Sequence, residues 1–200
     1  MLLITQTLLS AWNYAMGNEN EDAYFSFLDA LHRVKHPPTE AMQNGIDFET
    51  EVYRVARGGE PLSHPEWENG IRKTAAALVG APTQIKLSRP ITVDGTELLV
   101  YGILDAMKAG IIYDVKYSNT SFGSAYLPGK YLSSPQHPAY FYLVPEAYRF
   151  DYLVSDGKDL YTESYTPKNS RPFREIASEF LSFLRAADLM SVYEELWKSK

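Results

Sequence analysis

The amino-acid sequence predicts an α/β (α+β) fold, with helices packed on a central mixed β-sheet. Three observations carry that expectation. Apolar residues recur at helical spacing through most of residues 5–80, the hydrophobic period changes to two from Gln84, and helical and strand patterns alternate from there onward. With 45% hydrophobic and 22% charged residues, the 200-residue chain has enough apolar surface for one globular domain with a buried core. Residues 1–200 are therefore read as a single domain with an N-terminal helical segment and a long C-terminal helix.

Thr5 is a capping residue, and Leu8, Leu9, Trp12, Ala15 and Met16 form one apolar stripe, which predicts a first helix over 5–16. A second is expected over 22–33, broken by His36-Pro37-Pro38-Thr39. The third runs over 40–57 and stops at Gly58-Gly59. Ser63-His64-Pro65-Glu66 has the form of a capping box with proline at the first helical position, and it opens a fourth helix ending near Gly80. Strands follow at 84–92, 97–107 and 111–117. Asp94-Gly95 is a strong hairpin turn between the first two, and Ala109-Gly110 a weaker one between the second and third. Residues 118–134 have no periodicity and are rich in Ser, Gly, Pro and Tyr. A stretch of that length inside a domain is usually functional or mobile. A helix with Ser134 as its cap and Pro135 at its first position comes next, then strands at 148–154 and 160–165 and a long helix from Pro172.

The absence of cysteine excludes disulfides, thiolate zinc sites and iron–sulfur clusters, and fits a reducing compartment. The opening MLLITQTLLSAW lacks a basic region and is too short to span a bilayer, and no other stretch approaches a transmembrane run. No membrane partner and a cytoplasmic location are expected. The net charge of −6 argues against a protein that coats nucleic acid, which needs a strong positive excess. It argues only weakly against an enzyme acting on DNA through local contacts. The 15 tyrosines can fill a core or stack on bases, and Tyr126 and Tyr131, with Lys130 between them, are the candidates for meeting a strand.

The chemistry concentrates between Tyr101 and Tyr117. Strand alternation puts Asp114 and Lys116 on one side and Ile111, Tyr113, Val115 and Tyr117 on the other. With Ala109-Gly110 as a two-residue loop, counting back from Lys108 opposite Ile111 pairs Asp105 with Asp114. Directly opposed residues have Cβ atoms about 4.5–5.5 Å apart. Two carboxylates that close repel unless a cation lies between them, and hard oxygen donors favour Mg²⁺ or Mn²⁺. Phosphodiester hydrolysis needs a positioned water and neutralised phosphoryl charge, which metal ions largely supply. A lysine beside the ligands can orient that water or stabilise developing charge, and a metal store has no use for it.

On the third helix Met42, Gly45, Glu49, Val52 and Ala56 share a stripe on which Glu49 is the lone acid, with Asp47, Glu51 and Arg54 turned away. A carboxylate on a core-facing stripe is costly unless paired or metal-bound, and Gly45 leaves room for close approach. Gln136 and Tyr140, four apart, share a helix face. Each feature has a plain structural alternative: a solvent-exposed hairpin for the two aspartates, a buried arginine beside Glu49, helix surface and core for Gln136 and Tyr140. His32, His36, His64 and His137 show no ligand spacing and are read as structural or exposed.

The ordered set Gly45-x-x-x-Glu49, Asp105, Asp114-x-Lys116, Gln136-x-x-x-Tyr140 resembles the PD-(D/E)XK nuclease superfamily, in the branch of RecB-type nuclease domains and phage recombination exonucleases. Asn44-Gly45-Ile46-Asp47-Phe48-Glu49 is similar to the helix motif preceding the sheet in phage exonucleases. The resemblance spans about half the chain and implies a restriction-endonuclease-like core. It implies metal binding by Asp105, Asp114 and the Val115 carbonyl, with Glu49 contributing directly or through water. Lys116 would act on the attacking water, with Gln136 and Tyr140 positioning the lysine or the DNA backbone. Leu104 stands where many members have proline, and the missing cysteines exclude the iron–sulfur subgroup. The implied function is a Mg²⁺- or Mn²⁺-dependent DNA exonuclease of phage or prophage recombination or of DNA repair. A single-strand annealing protein is a candidate partner and a homo-oligomer a candidate assembly. The alternatives are a catalytically silent or partner-dependent DNA-binding module of the same fold, or a sequence-specific endonuclease.

Overall fold

A computed structural model describes residues 1–61, 64–120, 122 and 128–199. In chain order its elements are β1 (Leu2–Thr5), α1 (Gln6–Met16), α2 (Glu21–Leu31), α3 (Glu40–Ala56), a 3₁₀ turn (Pro65–Trp67), α4 (Glu68–Leu78), β2 (Thr83–Val93), β3 (Thr96–Lys108), β4 (Ile111–Tyr117), α5 (Gln136–Leu143), β5 (Arg149–Ser155), β6 (Leu160–Tyr165), a second 3₁₀ turn (Pro167–Asn169), α6 (Phe173–Ala186) and α7 (Met190–Leu196). The six described strands form one mixed sheet flanked by helices, as the sequence patterning predicts. Among the described residues no helix is long and apolar enough to cross a membrane.

The sheet is organised around β3. Along one edge β3 pairs with β2 from Thr96 opposite Val93 to Ala106 opposite Thr83, with a gap at Gln84. The other edge is shared. β1 lies parallel to Leu98–Tyr101, β4 lies antiparallel to Ala106–Lys108, and Gly102 to Asp105 between them have no strand partner there. The sheet forks at that gap. β4 continues away from β3, paired in parallel with β5 from Ile111 to Tyr117, and β6 closes the far side. Both hairpins turn where expected, with left-handed φ at Asp94 (49°) and Gly95 (76°) and at Ala109 (50°) and Gly110 (76°), the backbone of two-residue turns that match strand twist.

Two cores sandwich the sheet. The larger joins α1, α5 and α6 to Ile4, Leu98, Val100, Leu104, Phe150, Tyr152 and Val154. The smaller packs Phe48 and Val52 of α3 and Ile71, Ala75 and Leu78 of α4 on Ala106, Val115 and Leu153. Leu104 belongs to one and Ala106 to the other, so β3 passes between the two cores at Asp105. Close packing of α5 requires glycine at 102, because a Cβ there would lie 2.5 Å from Tyr140 Cε1.

Several local expectations are corrected. β1 was hidden because its four residues merge with the apolar stripe of α1; Thr5 ends the strand and caps the helix, accepting from the Leu8 amide. Met16, expected on that stripe, is 49% exposed. The fourth helix starts later than Pro65: His64 is left-handed (φ 55°), a 3₁₀ turn intervenes, and α4 begins at Glu68 without a side-chain cap, while the expected cap Ser63 lies outside the described residues. α5 begins at Gln136, one residue late, with the Ser134 hydroxyl still accepting its first amide. The long terminal helix is two helices. Asp188 (φ 56°) adopts a left-handed helix end, Leu189 N–H bonds the Leu184 carbonyl at 2.8 Å, and α7 folds back so that Tyr193 meets Phe180 edge-on.

On α3 the buried stripe runs through Phe48, Val52 and Tyr53, whereas Met42 is 62% exposed and a Cβ at Gly45 would meet open space. Glu51 is buried and ion-paired to Arg54, not turned away. The observed stripe lies about one residue from the expected one, because the apolar residues Met42 and Ile46 in the amino-terminal half of α3 are exposed and carry no core information.

Candidate active site

The fork in the sheet opens into a cleft of about 700 Å³. One wall comprises Tyr101, Gly102, Ile103 and Asp105 of β3 and Asp114, Val115 and Lys116 of β4, with Gln136 and Tyr140 of α5 and Glu49 of α3 at its sides. The opposite wall comprises the start of α1 from Thr5, the stretch Arg33-Val34-Lys35 after α2, and Trp197. Six predicted side chains (Glu49, Asp105, Asp114, Lys116, Gln136, Tyr140) and Val115 thus share one cavity.

The expected register between β3 and β4 holds at Lys108–Ile111, Met107–Ile112 and Ala106–Tyr113 but stops before Asp105 reaches Asp114. Asp105 Oδ2 instead accepts the Val115 amide at 2.8 Å, so a side chain replaces the ladder and the strands part. Asp114 is only 2% exposed. Its Oδ1 accepts from Gln136 Nε2, and Lys116 Nζ lies 2.6 Å from Oδ2. Lys116 is therefore the partner of this buried oxygen. Tyr140 donates to the Ile103 carbonyl at 2.8 Å, one of the groups on the unpaired edge of β3. Gln136 therefore holds an aspartate and Tyr140 the strand backbone, and neither hydrogen-bonds Lys116.

Burial raises the Asp105 carboxyl well above the usual range, and the negative charges of Asp114 and Glu49 add to it against the opposing pull of Lys116 and the Val115 amide. For Lys116, burial alone would depress the ammonium, but Asp114 and Asp105 outweigh it and hold the group above its ordinary value. With both carboxylates charged, Lys116 is thus held in its ammonium form. Glu49 Oε1 accepts from Tyr53 Oη at 2.6 Å and from Gln84 Nε2 at 3.2 Å.

The donor chemistry suits a hard divalent cation: the two carboxylates and the Val115 backbone meet at the fork, in a cleft that Glu49 also lines. Among the described residues no three His, Cys, Asp or Glu are gathered closely enough to form a complete ligand set, so Glu49 stands at the cleft without closing on the aspartates.

Lys130 and Tyr131 are not part of the cleft lining, although Tyr131 lies within reach of the charges of Lys116 and Asp114. Tyr131 stacks on Tyr152 (centroids 4.2 Å apart, planes 14° apart), so that ring face is occupied by protein and not open to a base. Its amide and that of Gly129 donate to Glu163, which pins the end of the loop to β6. Lys130 is exposed, with Nζ 5.8 Å from the Tyr131 ring centre. Tyr126 lies outside the described residues. His137 is buried and structural: it stacks on Tyr165, its Nδ1 is 3.2 Å from Tyr152 Oη, and burial pulls its pKa down to about 4.

Sequence reasoning missed the basic wall. Arg33 is left-handed (φ 57°) at the end of α2, and its guanidinium sits 4.2 Å from the centre of the Trp197 ring. The available signal was the basic run His32-Arg33-Val34-Lys35-His36 in an acidic chain, but its partner Trp197 is far away in sequence.

The chain is thus an α/β protein in which helices cover a mixed sheet, with a carboxylate–lysine cluster at the sheet's fork. Its architecture is similar to that of two solved structures. SSO0001 matches with a TM-score of 0.55 and 14% identity over 92% of this chain and 77% of that one. LHK-Exo in complex with dAMP matches with a TM-score of 0.51 and 14% identity over 96% of this chain and 90% of that one. At such identity the likeness is one of fold. No family model and no curated protein sequence matches the chain.

Proposed function

We propose that this protein is a Mg²⁺- or Mn²⁺-dependent deoxyribonuclease of the PD-(D/E)XK type, acting as an exonuclease. The observation that carries the reading is the ion pair of buried Asp114 with half-buried Lys116 beside Asp105 at the fork, in a cleft that Arg33 and Lys35 also line. The fold likeness to an exonuclease solved with dAMP supports it. Asp105, Asp114 and the Val115 carbonyl would hold the cation, with Glu49 completing the set. A divalent ion there supplies charge neutralisation and an acidified water. Gln136 orients Asp114, Tyr140 keeps β3 open at Ile103, and Lys116 contributes positive charge toward the phosphate or the attacking water. The basic wall would take the strand's backbone, which is how an acidic chain binds a polyanion locally. A role in phage or prophage recombination or in DNA repair, with a strand-annealing partner or as a homo-oligomer, rests on the sequence resemblance.

One observation favours a second reading, a DNA-binding module without turnover: three acidic ligands are not gathered and Lys116 occupies the side of Asp114. End-labelled linear DNA and its covalently closed circular form, each with Mg²⁺, Mn²⁺ or EDTA, decide between them. Metal-dependent loss of the linear form alone is the expected result. Cutting of the closed circle would replace the exonuclease by an endonuclease, and binding without cleavage would establish the module.

A further inference from the structure

Gln84 has a backbone that its place in the fold does not explain. Its φ is +56°, in the left-handed region that side-chain-bearing residues rarely enter, yet it lies in β2 and not in a turn. Thr83 and Ile85 pair with Ala106 and Leu104, while Gln84 drops out of the ladder. Such outliers persist where surrounding contacts over-determine them, and they cluster at functional sites. Here the contacts are identifiable. Gln84 Nε2 reaches across to α3, 3.2 Å from Glu49 Oε1 and 3.1 Å from Tyr53 Oη, and Tyr53 itself donates to Glu49 Oε1 at 2.6 Å.

We propose that Gln84 and Tyr53 are positioning residues that jointly fix the Glu49 carboxylate at the edge of the cleft, so that its second oxygen is presented to a divalent cation. The inference rests on the nuclease reading and adds two residues to it. Two donors converge on one carboxylate oxygen, which fixes its rotation and leaves Oε2 for the cleft that Glu49 lines. Gln84 is exposed and contributes nothing to either core, so its side chain has no packing role to set against this one.

The test is Mn²⁺ binding by calorimetry on the full chain without DNA, alongside thermal melting with and without Mn²⁺. Gln84→Gly suits the left-handed backbone and removes the exposed side chain with its amide; Tyr53→Phe removes only the hydroxyl. Each should weaken Mn²⁺ binding by about tenfold. The metal-free melting temperature of Gln84→Gly should be unchanged or raised, an outcome a merely structural role would not give. Unaltered Mn²⁺ binding in both variants, while Glu49→Gln and Asp114→Asn weaken it, would overturn the positioning role and leave the site standing. Unaltered binding in all four would overturn the metal site itself, and with it the proposal.

Discussion

The two walls of the cleft are built in opposite ways. The acidic wall comes from one hairpin, its Asp114 is buried, and every charged group on it is tied to another: Asp114 to Gln136 and Lys116, Asp105 to the Val115 amide. The basic wall comes from distant segments, Arg33 and Lys35 are exposed, and Arg33 is steadied by a left-handed backbone and an aromatic ring. Buried charges interact in a low effective dielectric and cannot be screened, whereas exposed ones are screened by salt within about 10 Å. One wall is therefore suited to chemistry that must not vary with ionic strength. The other is suited to attraction that must remain reversible.

That contrast can be broken at either wall. The largest effect is expected from Asp114→Asn, which should lower cleavage by on the order of 10³-fold while leaving DNA binding measurable by fluorescence anisotropy. Unchanged cleavage would remove Asp114 from the site. Lys116→Met should follow, with a loss of about 10²–10³-fold in turnover. It should also cost about 3 kcal/mol in denaturant unfolding, the low end for a broken buried pair because the Lys116 side chain is one-third exposed.

Arg33→Ala with Lys35→Ala should act on the other wall only. DNA affinity should fall about tenfold and its salt dependence flatten by roughly one counterion per lost phosphate contact, with turnover at saturation retained. Equal losses in turnover and affinity would merge the two walls into one catalytic unit. The smallest effect concerns stability without metal. A carboxyl raised by folding stabilises fully below its unfolded value of about 3.9, and that contribution is lost as pH rises through the folded value. Since burial, Asp114 and Glu49 raise Asp105, Asp105→Asn should melt roughly 2–4 °C above the parent at pH 7.5 in EDTA, the gap closing toward pH 4. Mg²⁺ should stabilise the parent and not the variant.

The mixed sheet was legible because β3 alternates over most of its length and the hairpins turn on Asp-Gly and Ala-Gly. The acidic wall was legible for the same reason, since Asp105, Asp114 and Lys116 lie on adjacent strands and period two brings them together. Gln136 followed from its helical partner Tyr140, although it holds the aspartate and not the lysine. What stayed hidden depends on long-range contact. β1 is a strand only because β3 lies beside it. Glu51 is buried and Glu49 half-buried because α3 docks by its later half. Arg33 and Gln84 owe their geometry to Trp197 and α3, and no periodicity records a left-handed residue. Tyr131, read from its polar loop as a platform for bases, stacks one ring face on Tyr152.

The tight Ala109-Gly110 turn also bears on the order in which the molecule assembles. Strands β3 and β4 close over a two-residue loop, where the entropy of bringing chain ends together is smallest, whereas Arg33 must find Trp197 across most of the chain. In pulsed hydrogen exchange during refolding, amides of Ala106–Ile112 should gain protection before those of Leu31–Lys35. A chain halted between those stages would already have drawn its two aspartates together and would not yet have raised the wall that faces them.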